Sequence, residues 1–294
     1  MNSIQIQGIS KKFGSVVALD GINLTLEQGK IYGLLGRNGA GKTTLLKVIT
    51  NRIFADQGSV TIDGQDHRQE HAQADIYLMS EADMYPEDCR LKKLFGLMPD
   101  FYPDFDREYA LRLAEEFHLP LKKKIKALST GYISIYKLIL ALSVNTPYVF
   151  FDEPILGLDA NHRELFYRRL IERYSEKPCT IVISTHLIEE VSGIVEDVII
   201  IHDGRIIRNE SRESLLACGY TVAGKAADVD AFIQGREVLG VEVLGVEVLG
   251  GLKTAYLLGK PQDTGVPYTL EVSRMDLQKL FVKLTGDEEV RRES

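Results

Sequence analysis

The chain has 294 residues, 45% hydrophobic and 26% charged, with a formal net charge of −7. That length suits one large domain or two, with a sizeable core. No apolar run reaches the roughly 18 residues of a membrane-spanning helix, and the acidic balance argues against a dominant nucleic-acid role, a local basic patch aside.

The opening MNSIQIQGISKKF alternates like a strand and lacks the apolar core of a signal peptide. The chain is therefore expected in the cytosol, with any membrane role supplied by a partner. Ile4 to Ile31 reads as antiparallel strands with turns at Gly14, Asp20-Gly21 and Gln28-Gly29. Ile31 to Leu35 is a short apolar run suited to a buried strand. Gly36-Arg37-Asn38-Gly39-Ala40-Gly41-Lys42-Thr43 then matches the phosphate-loop pattern GxxxxGK[ST], and a helix of good formers follows. Glycines let backbone N–H groups curl around phosphates, and the helix N-terminus adds partial positive charge. In that setting Lys42 reaches the β- and γ-phosphates, Thr43 ligates Mg²⁺, and Thr44 adds a donor to the α-phosphate. The plainer alternative, a glycine-rich turn with no ligand, is disfavoured by the strand before and the helix after.

Val60 to Ile62 adds a strand before Asp63-Gly64, and DIYLMSEADMYPED follows at Asp75 to Asp88. From Glu87 to about Asn145 the pattern turns helical, with apolar spacing over Arg107 to Phe117. The lysines 122, 123, 124 and 126 read as a solvated face. ALSTGYIS, Ala127 to Ser134, is a polar helix entrance ahead of an apolar-rich run, far from the phosphate loop in sequence.

In PYVFFDEPILGLDA, Tyr148 to Phe151 is an apolar strand with Asp152 and Glu153 at its C-terminal end, where open α/β sheets place ligands. Asp152 suits magnesium, and Glu153 suits orienting or deprotonating an attacking water. In CTIVISTHLIEEV, Cys179 to Ser184 is another buried strand, Thr185 a candidate cap, and His186 a strand-exit imidazole able to meet a γ-phosphate or orient water. Asp197 to Ile207 reads as a closing hairpin. A boundary near Cys218-Gly219 precedes a strand, a helix at Asp228–Gln234, further strands and a helix at Met275–Leu284. Within this tail EVLGVEVLGVEVLGG, Glu237 to Gly251, repeats every five residues. An odd period switches faces in a strand and advances about 500° in a helix. Short strand pieces broken at Gly240, Gly245 and Gly250 are the expected outcome. Cys89, Cys179 and Cys218 are too far apart to suggest a disulfide framework or zinc site.

In this order the motifs resemble the ATP-binding cassette (ABC) ATPase family: phosphate loop Gly36–Thr44, signature Leu128–Tyr132, Walker B Tyr148–Glu153, D-loop Leu156–Ala160 and His186. The resemblance covers roughly Ile4 to Leu216. It implies an α/β P-loop NTPase cassette at 1–217, a mixed sheet with an antiparallel β subdomain and a helical subdomain inserted at about 87–145. A small α+β appendage occupies 218–294. It implies ATP as substrate, Mg²⁺ held by Thr43 and Asp152, catalysis by Glu153 and His186, and adenine stacked on Phe13, unless that ring is core. Two cassettes, identical or not, would meet head to tail, so that Ser129, Thr130 and Gly131 serve the partner's ATP and Asp159 contacts the partner's phosphate loop. A separate membrane permease would be the partner, and the chain would sit on the cytoplasmic side of the membrane. On this resemblance the cluster Phe95, Phe101, Tyr102 and Phe105 is either core or, with Met84 and Tyr85, a groove gripping a permease helix. The tail resembles those of bacterial export and drug-resistance cassettes. A regulatory ATP-binding module with little hydrolysis and a soluble non-transport cassette are the rival expectations.

Three departures stand out. The signature reads LSTGY where the family has LSGGQ, with Thr130 replacing a conformationally free glycine. The Q-loop position carries Ser80 followed by Glu81; serine would need a bridging water to replace a glutamine, and Glu81 should point the other way on an extended segment. The D-loop reads ILGLDA rather than TSGLDP.

Overall fold

The computed structural model describes residues 2–82, 85–237, 241–259, 267 and 269–286. The chain divides into two compact units, one of Met1–His186 with Ile199–Asn209, the other of Leu187–Val198 with Glu210–Ser294. The expected boundary at 217/218 falls inside the second unit, which also takes in a short segment upstream.

The first unit opens with β1 (Ser3–Phe13) and β2 (Val16–Glu27), an antiparallel pair. The expected turn at Asp20-Gly21 does not form. β2 runs through it, and register shifts around Ile9 and Lys11 absorb the irregularity while Gly21 takes φ +63. A bulge with a left-handed glycine keeps the ladder going where a turn would end it. β3 (Ile31–Leu35), all five residues buried, leads into α1 (Lys42–Ile49). β4 (Gln57–Ile62) and β5 (Gln65–Asp66) complete a four-stranded sheet of order β2-β1-β4-β5.

After α2 (Glu70–Ala74) and β6 (Ile76–Met79) come the helices: α3 (Leu91–Phe101), α4 (Arg107–Glu116) and α5 (Thr130–Ser143). Asp106 caps α4 by accepting from the Tyr109 amide at 2.9 Å. The aromatic cluster divides: Phe95 and Phe105 are core, whereas Phe101 is 70% exposed. Lys124 and Lys126 lie at the surface and pair with Asp88. α5 is buried continuously from Ile135 to Ser143, an apolar-rich stretch that also takes in Lys137 and Ser143.

β7 (Tyr148–Asp152), α6 (Ala160–Glu176), β8 (Thr180–Thr185), α7 (Ile188–Val191), β9 (Asp197–His202) and β10 (Arg205–Ser211) follow. The second sheet has order β10-β9-β3-β8-β7-β6, with β3, β8, β7 and β6 parallel to their neighbours among themselves. Strands buried on both faces carry unbroken apolar runs, as IYGLL and YVFFD do. The C-terminal ends of β3, β7 and β8 therefore lie side by side, and there the polar residues begin.

In the second unit α8 (Arg212–Cys218) precedes β11 (Gly219–Lys225), α9 (Ala226–Glu237), β12 (Glu242–Leu249), β13 (Leu252–Leu258), β14 (Glu271–Arg274) and α10 (Leu277–Leu284). The sheet order is β12-β13-β11-β14, antiparallel throughout. The five-residue repeat meets this sheet with a bulge. Val243 faces Leu257 and Gly245 faces Tyr256, leaving Leu244 as the extra residue. Leu244 is buried, and Val243 and Val246 pack against the core of this unit. Gly250 then turns the hairpin at φ +62. Gly240 and Met84 lie outside the described residues. Among those described, no helix is long and apolar enough to cross a membrane, and Cys89, Cys179 and Cys218 are free thiols.

Candidate functional site

The loop between β3 and α1 is shaped by its glycines. Gly41 takes φ +110, and a Cβ there would lie 2.6 Å from the Ala18 carbonyl oxygen; at Gly36 it would lie 2.8 Å from Ile201. Arg37, Asn38 and Gly39 are exposed at the loop's crest, while Gly36, Ala40 and Gly41 are buried beneath it. Lys42, 6% exposed, donates its ammonium to the Gly36 carbonyl at 2.6 Å and the Arg37 carbonyl at 3.3 Å. Thr43 and Thr44 follow, half-buried, in the first turn of α1.

Thr43 Oγ1 donates to Asp152 Oδ1 at 3.0 Å, and Ser184 Oγ donates to the same oxygen at 3.1 Å. Burial pushes the Asp152 carboxyl above its ordinary pKa, a shift to which Glu153 adds and which Thr43, Ser184 and Lys42 oppose. A hydroxyl and a desolvated carboxylate in contact form an all-oxygen donor set suited to a hard divalent cation that keeps several waters. The residues thus fit Mg²⁺.

Glu153 is the turning point of the site. Its φ of +49 is left-handed, sparsely populated for a residue with a side chain. Its amide still bonds the Ser184 carbonyl at 2.9 Å. The side chain bridges the centre: Oε1 lies 3.4 Å from Lys42 Nζ, and Oε2 lies 3.0 Å from His186 Nδ1. Thr185 Oγ1 donates to the same Oε2 at 3.2 Å. Thr185 is the last residue of β8 and caps no helix; the residue preceding α7 is Leu187. Thr185 and Ser184 were missed as site residues, although polar residues closing an apolar strand beside His186 were the available signal.

Ser129 is the N-cap of α5, its hydroxyl accepting from the Tyr132 amide at 3.4 Å. Ser129 and Thr130 are exposed. This entrance is buttressed by the D-loop: Ser134 Oγ donates to the Leu156 carbonyl at 2.9 Å, and a Cβ at Gly131 would lie 3.3 Å from the Gly157 carbonyl oxygen. Asp159 caps α6, accepting from the His162 amide at 2.9 Å, with its other oxygen 2.9 Å from His162 Nδ1. Phe13 is 51% exposed, which removes the core reading, and Lys11 Nζ stands 5.5 Å from its ring centre. Ser80 is buried; its hydroxyl accepts from Arg52 at 3.3 Å and reaches the Ala82 carbonyl at 3.4 Å. Glu81 is exposed.

Residues 19–156 match the sequence profile of the ABC transporter family. The chain is 32% identical to the ABC transporter ATP-binding protein YtrB of Bacillus subtilis, over 66% of this chain and 69% of that protein. It is 28% identical to the Nod factor export ATP-binding protein I of Burkholderia orbicola, over 97% of each. The fold is that of an ABC transporter ATP-binding subunit of known structure, with a TM-score of 0.65 at 23% identity, covering 72% of this chain and 91% of the other. A dimeric cassette in a post-hydrolysis state, bound to ADP and Pi, superposes with a TM-score of 0.63 at 23% identity, covering 71% of this chain and 98% of that one. The phosphate loop, the acid pair ending β7 and this kinship over two thirds of a relative agree: the chain belongs to the ABC transporter family, as an ATP-binding, ATP-hydrolysing subunit.

Proposed function

We propose that this chain hydrolyses Mg-ATP with Glu153 as the base, and that hydrolysis reopens a head-to-tail pair of cassettes that drives a separate permease. The observation that carries the reading is the Glu153 carboxylate, held between Lys42 and His186 at the end of β7. One oxygen faces the cation that receives the γ-phosphate, and the other is steadied by His186 and Thr185. A water placed between this carboxylate and the γ-phosphorus gives its proton to Glu153 as its oxygen bonds to phosphorus. The bond from phosphorus to the β–γ bridging oxygen breaks, and ADP departs with that electron pair. Lys42 exchanges loop carbonyls for phosphate oxygens. Backbone N–H groups between Arg37 and Thr44 cradle the chain of phosphates. Thr43 and Asp152 would hold Mg²⁺, whose charge offsets that of the β- and γ-phosphate oxygens.

The exposed entrance of α5 suits the second nucleotide. Ser129 and the amides behind it present a helix N-terminus, and the long 3.4 Å cap bond leaves the hydroxyl available to a γ-phosphate of the facing cassette. The dimeric arrangement of the related cassette supports this pairing. A groove of about 1050 Å³ bounded by Leu97, Phe101, Tyr102, Tyr85 and Lys93 offers an apolar floor and an exposed aromatic to a permease helix. Through it the chain would sit on the cytoplasmic face of the membrane.

Glu153→Gln tests the reading in a steady-state ATPase assay on the purified chain. The expected result is a fall in kcat of about 10²–10⁴-fold with ATP still bound. Unchanged turnover removes Glu153 from the role of base.

A further inference from the structure

Two cations reach the segment 78–82: Lys137, buried on α5, and Arg52, half-buried in the turn that follows α1. Arg52, just past the end of α1, donates Nη2 to the Leu78 carbonyl at 3.1 Å and Nη1 to Ser80 Oγ at 3.3 Å. Lys137, about two turns along α5 from Ser129, is 6% exposed and donates to the Glu81 carbonyl at 2.6 Å and the Ala82 carbonyl at 3.3 Å. One helix starts at the phosphate loop; the other starts at the signature. Tyr85, three residues past Ala82 in sequence, has its hydroxyl 3.3 Å from that of Tyr77 and 3.7 Å from Met98 Sδ, and Tyr85 and Met98 line the groove.

Burying an ammonium is costly unless its hydrogens are met. A methionine would fill the same space on α5 without that cost, so packing alone does not account for a lysine at 137. The 2.6 Å contact is a charge-assisted bond to the backbone of the loop. Ser80, short and turned toward Arg52, does not extend from the loop as a glutamine would.

We infer that Lys137 and Arg52 are a pair of positioning residues that fix the segment 78–82 between the turn ending the phosphate-loop helix and the signature helix, Lys137 holding the Glu81 and Ala82 carbonyls and Arg52 the Leu78 carbonyl and the Ser80 hydroxyl, a clamp in place of a side-chain reach from the loop. The inference rests on the hydrolytic reading above for its kinetic consequence, but not for the clamp itself. Both cations act on one short loop, so their effects on catalysis are shared rather than independent.

The full purified chain tests this with Lys137→Met, Arg52→Met and the double variant. Each single change should lower kcat for Mg-ATP by about tenfold or more, since small misplacements are expensive in an oriented site, with KM held within about threefold. The double variant should be no slower than the slower single. Losses that multiply, or a changed KM at unchanged kcat, overturn the inference. Hydrogen exchange of the amides at 80–82, in nucleotide-free protein, should quicken by about tenfold in Lys137→Met while α1 is unaffected; unchanged exchange overturns it. Should Lys137→Met fail to fold, Lys137→Gln, which keeps a shorter donor, is expected to show the same two changes, and their absence overturns the inference. A wild-type chain without turnover would sink the hydrolytic reading alone, and the exchange result then decides the clamp.

Discussion

Lys42 Nζ and Glu153 Oε1 stand 3.4 Å apart, an ion pair closed inside the site by residues far apart in sequence. The carboxylate proposed as base is thus also a rival for the ammonium proposed to receive the γ-phosphate. Glu153→Gln removes a negative charge facing the triphosphate, so ATP should bind about threefold or more tightly even as turnover collapses. Lys42→Ala should do the reverse and abolish binding. Titration calorimetry of both variants checks the pair; equal affinity in wild type and Glu153→Gln would show that the two charges do not compete.

Gly41→Ala should cost about 2 kcal/mol or more, because φ +110 is strained for alanine and its Cβ would strike the Ala18 carbonyl oxygen at 2.6 Å. Binding of ATP should be lost with it, since the loop must move to make room. Chemical denaturation reads the first effect and calorimetry the second. A variant of wild-type stability would mean that the loop relaxes freely.

Phe13→Ala should weaken ATP binding by about 5–150-fold, the span of a ~1–3 kcal/mol stacking contact, while Phe13→Tyr retains it. The ring is half exposed, so stability should hardly change in either variant. Equal nucleotide affinity in Phe13→Ala would move adenine recognition elsewhere.

Burial pushes the Cys179 thiol up to about 11. Only the thiolate alkylates, so at pH 8 about one molecule in a thousand is reactive there. Labelling of Cys179 by iodoacetamide in the native chain, followed by mass spectrometry, should rise about tenfold per pH unit up to about pH 11. A rate that levels off below pH 9 would contradict so strongly raised a thiol.

The motif order was legible because each motif is a local device. A glycine-rich loop between a buried strand and a helix, or two acids ending an apolar strand, carries its own chemistry in adjacent residues. Asp20-Gly21 misled for the same reason. Locally it reads as a turn, yet its φ > 0 glycine serves a bulge once β1 holds the strand in register. The repeat in the tail makes the limit plain. Leu244 and Leu249 sit in identical EVLG surroundings in sequence, yet one is buried and the other 85% exposed.

The sequence by itself determined the phosphate loop, the acid pair, the helical insertion and the alternation of strands and helices, since propensity and periodicity act over neighbours. Only the tertiary structure decided that Thr185 serves Glu153 rather than a helix, that Ser80 turns to Arg52, and that Lys137 reaches back to the loop at 80–82. Those choices depend on which buried polar groups meet after distant segments pack. A buried donor must find an acceptor wherever the fold brings one, whatever its separation along the chain.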